Sequence, residues 1–114
     1  MEMKNAIKVL VALGNETRVE IYRLLVQKGP QGMSAGELSR SSGVAPSSLS
    51  FHLKELVHAG LLNQRQEGRF VFYSAHYQTM TDLIGFLTEN CCDGNPCMPV
   101  PSTFCLADTS SRAD

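Results

Sequence analysis

The sequence lacks several features that would assign it to large classes of protein. No apolar run approaches the roughly 20 residues of a membrane-spanning helix, so we expect no membrane segment. The opening stretch MEMKNAIKVL lacks the pattern of a cleavable signal peptide, and we therefore expect a cytoplasmic protein. The chain also has neither a phosphate-cradling glycine motif nor a nucleophile elbow, which argues against an enzyme.

Basic charge is not in excess either. Nine basic and eight acidic residues lie in residues 1–92, and one basic and three acidic residues lie in 93–114, for a net charge of −1. DNA binding must therefore depend on the local arrangement of basic and polar side chains, and a tight complex would need two copies of the protein. The length of 114 residues also limits the core of a monomer, which makes dimerisation an expectation.

Apolar spacing and capping residues predict five helices and one β-hairpin. Ser34 and Glu37 have the spacing of a capping box, and Pro46 suits the first turn of a helix. A glycine turn at Glu67-Gly68, between 61–66 and 69–75, favours the hairpin. The predicted helices cover about 3–13, 16–27, 34–41, 46–59 and 77–90.

The apolar residues of these helices fall on defined faces. The second and fourth helices should bury theirs, whereas the first and last carry apolar stripes that a small monomer could leave partly uncovered. The residues concerned are Met3, Ile7, Leu10 and Val11, then Val19, Ile21, Tyr22, Leu24, Leu25 and Val26, then Leu49, Leu53, Leu56 and Val57, and finally Met80, Leu83, Ile84 and Leu87.

Two short helices joined by the turn around Gly43–Ala45 have the layout of a helix-turn-helix, whose second helix enters the major groove of DNA. The hairpin that follows is then a wing. The sequence thus predicts a mainly α protein with a small β-hairpin, a winged helix-turn-helix. The candidate DNA contacts on the second helix are Ser47, Ser48, Ser50, His52 and Lys54.

Simpler explanations exist for these residues. The serines could form a solvated polar face or only start the helix, and His52 could pack or bond inside the protein. Arg65 and Arg69 flank the hairpin turn and could hold phosphates, although exposed hairpin ends are often charged.

The cysteines suggest a second kind of site. Cys91 and Cys92 are adjacent, and Cys97 follows after a turn with Gly94 and Pro96 that can fold it back onto them. Three thiolates suit trivalent arsenic or antimony and suit hard cations poorly. A disulfide switch is the main alternative, and burial of single cysteines is another. Cys105 could be a fourth ligand, which would favour zinc or cadmium, or a spectator.

Three segments resemble the ArsR/SmtB family of metal-responsive repressors. They are LGNETRVEIYRLL at 13–25, SSLSFHLKELVHAGLL at 47–62 and RQEGRFVFY at 65–73. The resemblance implies a homodimer built from the first and last helices, operator binding without inducer, and release when metal binds. It also implies that the wing approaches the minor groove, which makes Arg69 the preferred wing contact.

The cysteine pattern Cys91, Cys92 and Cys97 resembles the arsenic site of one branch of this family. Other sites of the family are absent: residues 32–38 contain no cysteine, and His76 and Asp82 are wrongly spaced for a zinc pair. We therefore expect a domain over 1–92, which dimerises and binds DNA, and an irregular tail over 93–114 that completes the metalloid site.

These inferences combine into a metalloid-responsive repressor. It would bind double-stranded operator DNA as a dimer and release it when trivalent arsenic or antimony binds the three cysteines. A thiol-redox or zinc- and cadmium-responsive repressor on the same fold is the alternative. A metal-buffering protein with a vestigial helix-turn-helix is a third.

Overall fold

The computed structural model describes residues 1–90, which fold into helices and a small sheet. The order is α1 (Met3–Leu13), α2 (Glu16–Lys28), β1 (Met33–Ser34), α3 (Ala35–Ser42), α4 (Pro46–His58), β2 (Leu62–Glu67), β3 (Phe70–Ala75) and α5 (Tyr77–Leu87). The five predicted helices and the hairpin are confirmed. The last helix is shorter than predicted and ends at Leu87.

Local hydrogen bonds explain where the helices begin. The Asn15 side chain accepts a hydrogen bond from the Arg18 amide at 3.1 Å and caps α2. Ser34 and Glu37 form the predicted capping box of α3, with reciprocal hydrogen bonds of 2.9 and 3.2 Å. Pro46 occupies the first turn of α4, where its missing N–H costs nothing.

The end of α4 is equally well defined. The amide of Gly60 donates to the carbonyl of Val57 at 3.0 Å, and the amide of Leu61 donates to that of Leu56 at 3.0 Å. This pair of bonds is a Schellman motif, and it requires the φ of +83° that Gly60 adopts. The chain therefore leaves the helix in a fixed direction and enters β2.

The three strands form an antiparallel sheet in the order β1-β3-β2. The hairpin turn lies at Gly68-Arg69, one residue later than predicted, because Glu67 still pairs with Phe70. Strand β1 was not predicted. It has only two residues, and it exists through pairing of Met33 with Tyr73 across the sheet.

A single core joins these elements. Ile21 and Leu25 of α2, Leu38 of α3 and Leu56 of α4 are fully buried. The buried stripe of α4 is confirmed for Leu49, Leu53 and Leu56. The expectation for α2 is wrong at Val19 and Val26, each 37% exposed, because both lie about 100° or more around the helix axis from the buried Ile21 and Leu25.

Helix α1 packs on this core through small residues. Its buried side chains are Ala6, Val9 and Ala12, whereas Met3, Ile7, Leu10 and Val11 are exposed. Ile7 is 50% exposed and Val11 is 65% exposed. The first helix therefore leaves its apolar stripe uncovered, as expected.

The predicted division at residue 92 and all four cysteines, Cys91, Cys92, Cys97 and Cys105, lie outside the described residues. Within residues 1–90, no helix has both the length and the apolar character needed to cross a membrane.

Gly32 occupies a position that no other residue fits. Its φ is +73°, and a Cβ built there would lie 2.3 Å from the carbonyl oxygen of Tyr73 in β3. We expect Gly32→Ala to lower the free energy of unfolding by about 3 kcal/mol, since it combines an unfavourable φ with a backbone clash. Urea unfolding followed by circular dichroism measures the change.

The matched control is Gly68→Ala. Gly68 has a φ of +63°, but a Cβ there would meet nothing within 4 Å. This substitution should cost only the conformational penalty, about 1 kcal/mol. Equal losses for the two variants would show that the close approach of Gly32 to β3 contributes nothing.

Candidate nucleic-acid interface

The turn between α3 and α4 fixes the two helices relative to each other. Gly43 ends α3 in the left-handed conformation, with a φ of +76°. The Ser39 hydroxyl donates to the carbonyl of Val44 at 2.7 Å, and the Val44 amide donates to the Ser42 hydroxyl at 3.2 Å. Side chains of α3 thus satisfy both the amide and the carbonyl of Val44, so α4 leaves the turn in a defined direction.

Helix α4 presents a polar face opposite its buried leucines. Ser47, Ser48, Ser50 and Lys54 are all exposed there. Ser47 and Ser48 lie in the first turn, where the positive end of the helix dipole attracts phosphate. The structure therefore makes these four predicted contacts available to DNA.

His52 differs from the other predicted contacts because it is half-buried. Its Nδ1 lies 3.2 Å from Nη1 of Arg18, whose Nε donates to the carbonyl of Ala12 at 2.7 Å. A guanidinium can only donate, so Nδ1 of His52 accepts and a neutral ring carries its proton on Nε2. The structure thus places His52 in a hydrogen bond within the protein.

Arg18 was missed by the sequence reasoning. It connects the end of α1 to α4 through Ala12 and His52, and its guanidinium carbon lies 6.0 Å from the centre of the Phe51 ring. Arg18 and His52 are 34 positions apart, so no local pattern could reveal the contact. Phe51 itself packs its ring edge-on to His52 at 5.6 Å and is 56% exposed.

The two wing arginines have different surroundings. Arg65 forms a 2.7 Å ion pair with Glu67, donates to the carbonyl of Gln31 at 3.2 Å and lies over the ring of Phe72. Arg69 lies in the exposed turn of the hairpin. A phosphate must compete with Glu67 for Arg65, whereas no carboxylate among residues 1–90 pairs with Arg69.

A further arginine, Arg40, was not among the predicted contacts. Its Nη1 would lie 3.5 Å from a Cβ built on Gly36, so the side chain folds back over the first turn of α3. Arg40 and Arg69 line the same cleft. Among residues 1–90, neither forms an ion pair with a carboxylate. Two guanidinium groups beside the positive end of a helix suit an anion such as a phosphate.

The predicted metal ligands Cys91, Cys92 and Cys97 lie outside the described residues, so the structure does not test whether they come together. Residues 1–90 contain no cluster of three or more histidine, cysteine or acidic side chains that could hold a metal ion. His76 is the residue before α5, and its Nδ1 lies 2.7 Å from the Thr79 hydroxyl.

A rigid helix-turn-helix, an exposed polar helix face and an adjoining hairpin define a class of protein: the winged helix-turn-helix transcriptional regulators, which bind DNA and are not enzymes. Comparison with known proteins agrees with this class. Residues 13–65 match a family described as a helix-turn-helix domain.

The chain is 34% identical to the transcriptional activator HlyU of Vibrio cholerae over 90 residues, or 79% of this chain and 81% of that one. It is 35% identical to a putative arsenical resistance operon repressor, ArsR2, of Halobacterium salinarum over 89 residues, covering 73% and 74% of the two chains. A solved ArsR-like regulator from Rhodococcus superposes with a TM-score of 0.65 at 28% identity, covering 74% of this chain and 76% of that chain.

A longer match reaches further along the chain. The arsenic resistance transcriptional regulator ArsR1 of Pseudomonas putida is 25% identical over 104 residues, which is 91% of this chain and 79% of that protein. Residues 1–90 cannot supply a match of this length, so it extends over the segment that holds Cys91, Cys92 and Cys97. With these relatives, the chain belongs to the ArsR family of transcriptional regulators.

The surroundings of the two wing arginines generate a prediction. Arg69→Gln should make the negative slope of log affinity against log salt less steep, by about 1 for each protomer bound, because one phosphate contact is lost. Arg65→Gln should change the slope less, since Glu67 already neutralises that guanidinium. Fluorescence anisotropy with a duplex from the protein's own upstream region, at several salt concentrations, measures both slopes. A larger change for Arg65→Gln would contradict this assignment.

Proposed function

We propose that this protein is a homodimeric repressor that leaves its operator when trivalent arsenic or antimony binds Cys91, Cys92 and Cys97. The observation that carries the proposal is the position of these three thiols. They lie within seven consecutive residues, and the first follows the end of α5 at Leu87 by four positions. Helix α5 in turn packs against α1, the helix with the uncovered apolar stripe.

The uncovered stripe supports the dimer. Met3, Ile7 and Leu10 recur at helical spacing on α1 and are 64%, 50% and 40% exposed. Leu87 of α5 is 57% exposed. Water contact with so many large apolar side chains is unfavourable, and a second copy that presents the same helices would cover them by two-fold symmetry. The dimer surface proposed here consists of α1 and α5.

The dimer generates a prediction on α1. Ile7→Glu should convert the dimer to a monomer at micromolar concentration, because it places a charge in the centre of the proposed surface. The free energy of unfolding of the monomer should change little, since Ile7 is half exposed in the single chain. Sedimentation equilibrium measures the mass.

The control is Phe70→Glu, which introduces the same charge at an exposed apolar position of β3, on neither α1 nor α5. This variant should remain dimeric. A dimer that survives Ile7→Glu and is lost with Phe70→Glu would place the interface elsewhere.

The choice of inducer follows from ligand chemistry. Thiolates are soft ligands, and three of them match the trigonal-pyramidal coordination of trivalent arsenic. Zinc prefers a fourth ligand, which Cys105 would have to supply. The names of ArsR1 and ArsR2 place relatives of this chain in arsenic resistance, and the match to ArsR1 extends over the cysteine segment.

Release of DNA requires that the metalloid favour one dimer geometry over the other. Ligand binding beside the end of α5 acts on the helix that, with α1, forms the proposed dimer surface. A change in the packing of this surface alters the angle between the two copies of α4. Two copies of α4 at the wrong angle cannot enter successive major grooves of one duplex.

The proposal is tested by titrating the reduced protein, bound to a fluorescent operator duplex, with arsenite. We expect release near one equivalent per protomer. Cys91→Ser, Cys92→Ser and Cys97→Ser should each bind the duplex with wild-type affinity and fail to release it, because two thiolates hold inorganic arsenite weakly. Cys105→Ser is the matched control and should release normally.

The alternatives give different results in the same titration. Release by zinc or cadmium that depends on Cys105 would replace the three-thiolate site with a four-ligand one. Release by peroxide without metalloid would identify a disulfide between Cys97 and Cys91 or Cys92 as the switch. Release by arsenite in all three single serine variants would refute the three-thiolate site.

A further inference from the structure

The exposed face of α4 that has Ser47, Ser48, Ser50 and Lys54 is called here the reading face. Phe51 on this face is neither polar nor buried. Phe51 is 56% exposed, although it lies in the middle of a helix whose leucines form the core. It is absent from the cluster of buried residues and from the partly buried residues packed on it. Burial within residues 1–90 therefore does not account for an aromatic side chain at this position.

Helix geometry places Phe51 at the centre of the reading face. Residues of an α-helix advance by about 100° each, so Ser47, Phe51 and Lys54 form one row at i, i+4 and i+7. The buried row of Leu49, Leu53 and Leu56 runs along the opposite side. The side of α4 that is turned furthest from the core thus has a serine, a phenylalanine and a lysine in succession.

The ring of Phe51 is held in place by its neighbours. The Arg18 guanidinium lies 6.0 Å from the ring centre, and the His52 ring meets it edge-on at 5.6 Å and 63°. Arg18 is itself anchored by its 2.7 Å bond to the carbonyl of Ala12. A side chain that is already ordered loses little conformational entropy on binding, which favours contact of the Phe51 ring with a defined group of the DNA.

We propose that Phe51 contacts the C5-methyl group of thymine and so contributes to the choice of operator sequence. The thymine methyl is the apolar group among the base edges of the major groove, and apolar side chains recognise it by contact. The polar neighbours Ser47 and Lys54 suit base edges and phosphates, which leaves Phe51 as the apolar element of the row. This inference rests on the proposed binding of operator DNA by α4.

The test replaces thymine by deoxyuracil, which differs only by the missing methyl group. Duplexes that bind the protein are first selected from a random library, and each thymine of the half-site is then exchanged in turn. At one position of the half-site, the exchange of thymine in a single half-site should lower the affinity of the wild-type protein about fourfold. The same exchange in both half-sites should lower it about fifteenfold. At the same position, Phe51→Ala should bind the two duplexes equally.

Two further variants serve as controls. Phe51→Leu keeps an apolar side chain and should retain part of the preference for thymine. Phe70→Ala removes another exposed phenylalanine, from the wing, and should keep the full preference at that position. The salt dependence of binding should be the same for Phe51→Ala and the wild type, because Phe51 neutralises no phosphate.

The outcomes separate this inference from the proposed function. Selection of a defined duplex whose affinity is insensitive to every exchange would overturn the role of Phe51. So would an equal loss on exchange for Phe51→Ala and the wild type. Failure to select any duplex would instead overturn operator binding itself, and the assignment of Phe51 with it.

Discussion

The burial of a few leucine and isoleucine side chains between α2, α3 and α4 is the interaction on which the rest of the structure depends. Ile21, Leu25, Leu38 and Leu56 are excluded from water, and each contributes about 1.5–3 kcal/mol. Residues 1–90 contain one hydrophobic core, so the loss of these contacts would not be compensated within that part of the chain. The side of α4 that packs on these residues decides which side faces outward, so the core and the reading face are fixed together.

Much of the fold could be predicted because its signals are local. Asn15, the pair Ser34 and Glu37, and Pro46 each lie within a few residues of the start of their helix, so a short stretch of sequence is enough to predict where that helix begins. Strand β1 could not be predicted, since two residues become a strand only by pairing with β3, about 40 positions further along. The same reason hid the bond between Arg18 and His52, and the contact of Arg65 with Gln31.

Burial could be predicted less well than helix position. Periodicity identified an apolar face on α1 with Met3, Ile7, Leu10 and Val11, but these four residues are exposed and the buried side chains are Ala6, Val9 and Ala12. Of the predicted DNA contacts, the serines and Lys54 are exposed, as a polar helix face requires. Arg40, which lies over the start of its own helix, has no sequence pattern that would have indicated its position beside Arg69. The cysteine site could be proposed only from spacing and ligand chemistry.

The bond of Arg18 to Ala12 has a consequence for how motion passes through the molecule. The Arg18 side chain, which comes from α2, bonds the last turn of α1 at Ala12 and the middle of α4 at His52. Hydrogen bonds weaken steeply with misalignment, so these two bonds favour the one relative position of α1 and α4 in which both are well aligned. Arg18 is therefore the residue through which a displacement of α1 acts on the helix that has the predicted DNA contacts.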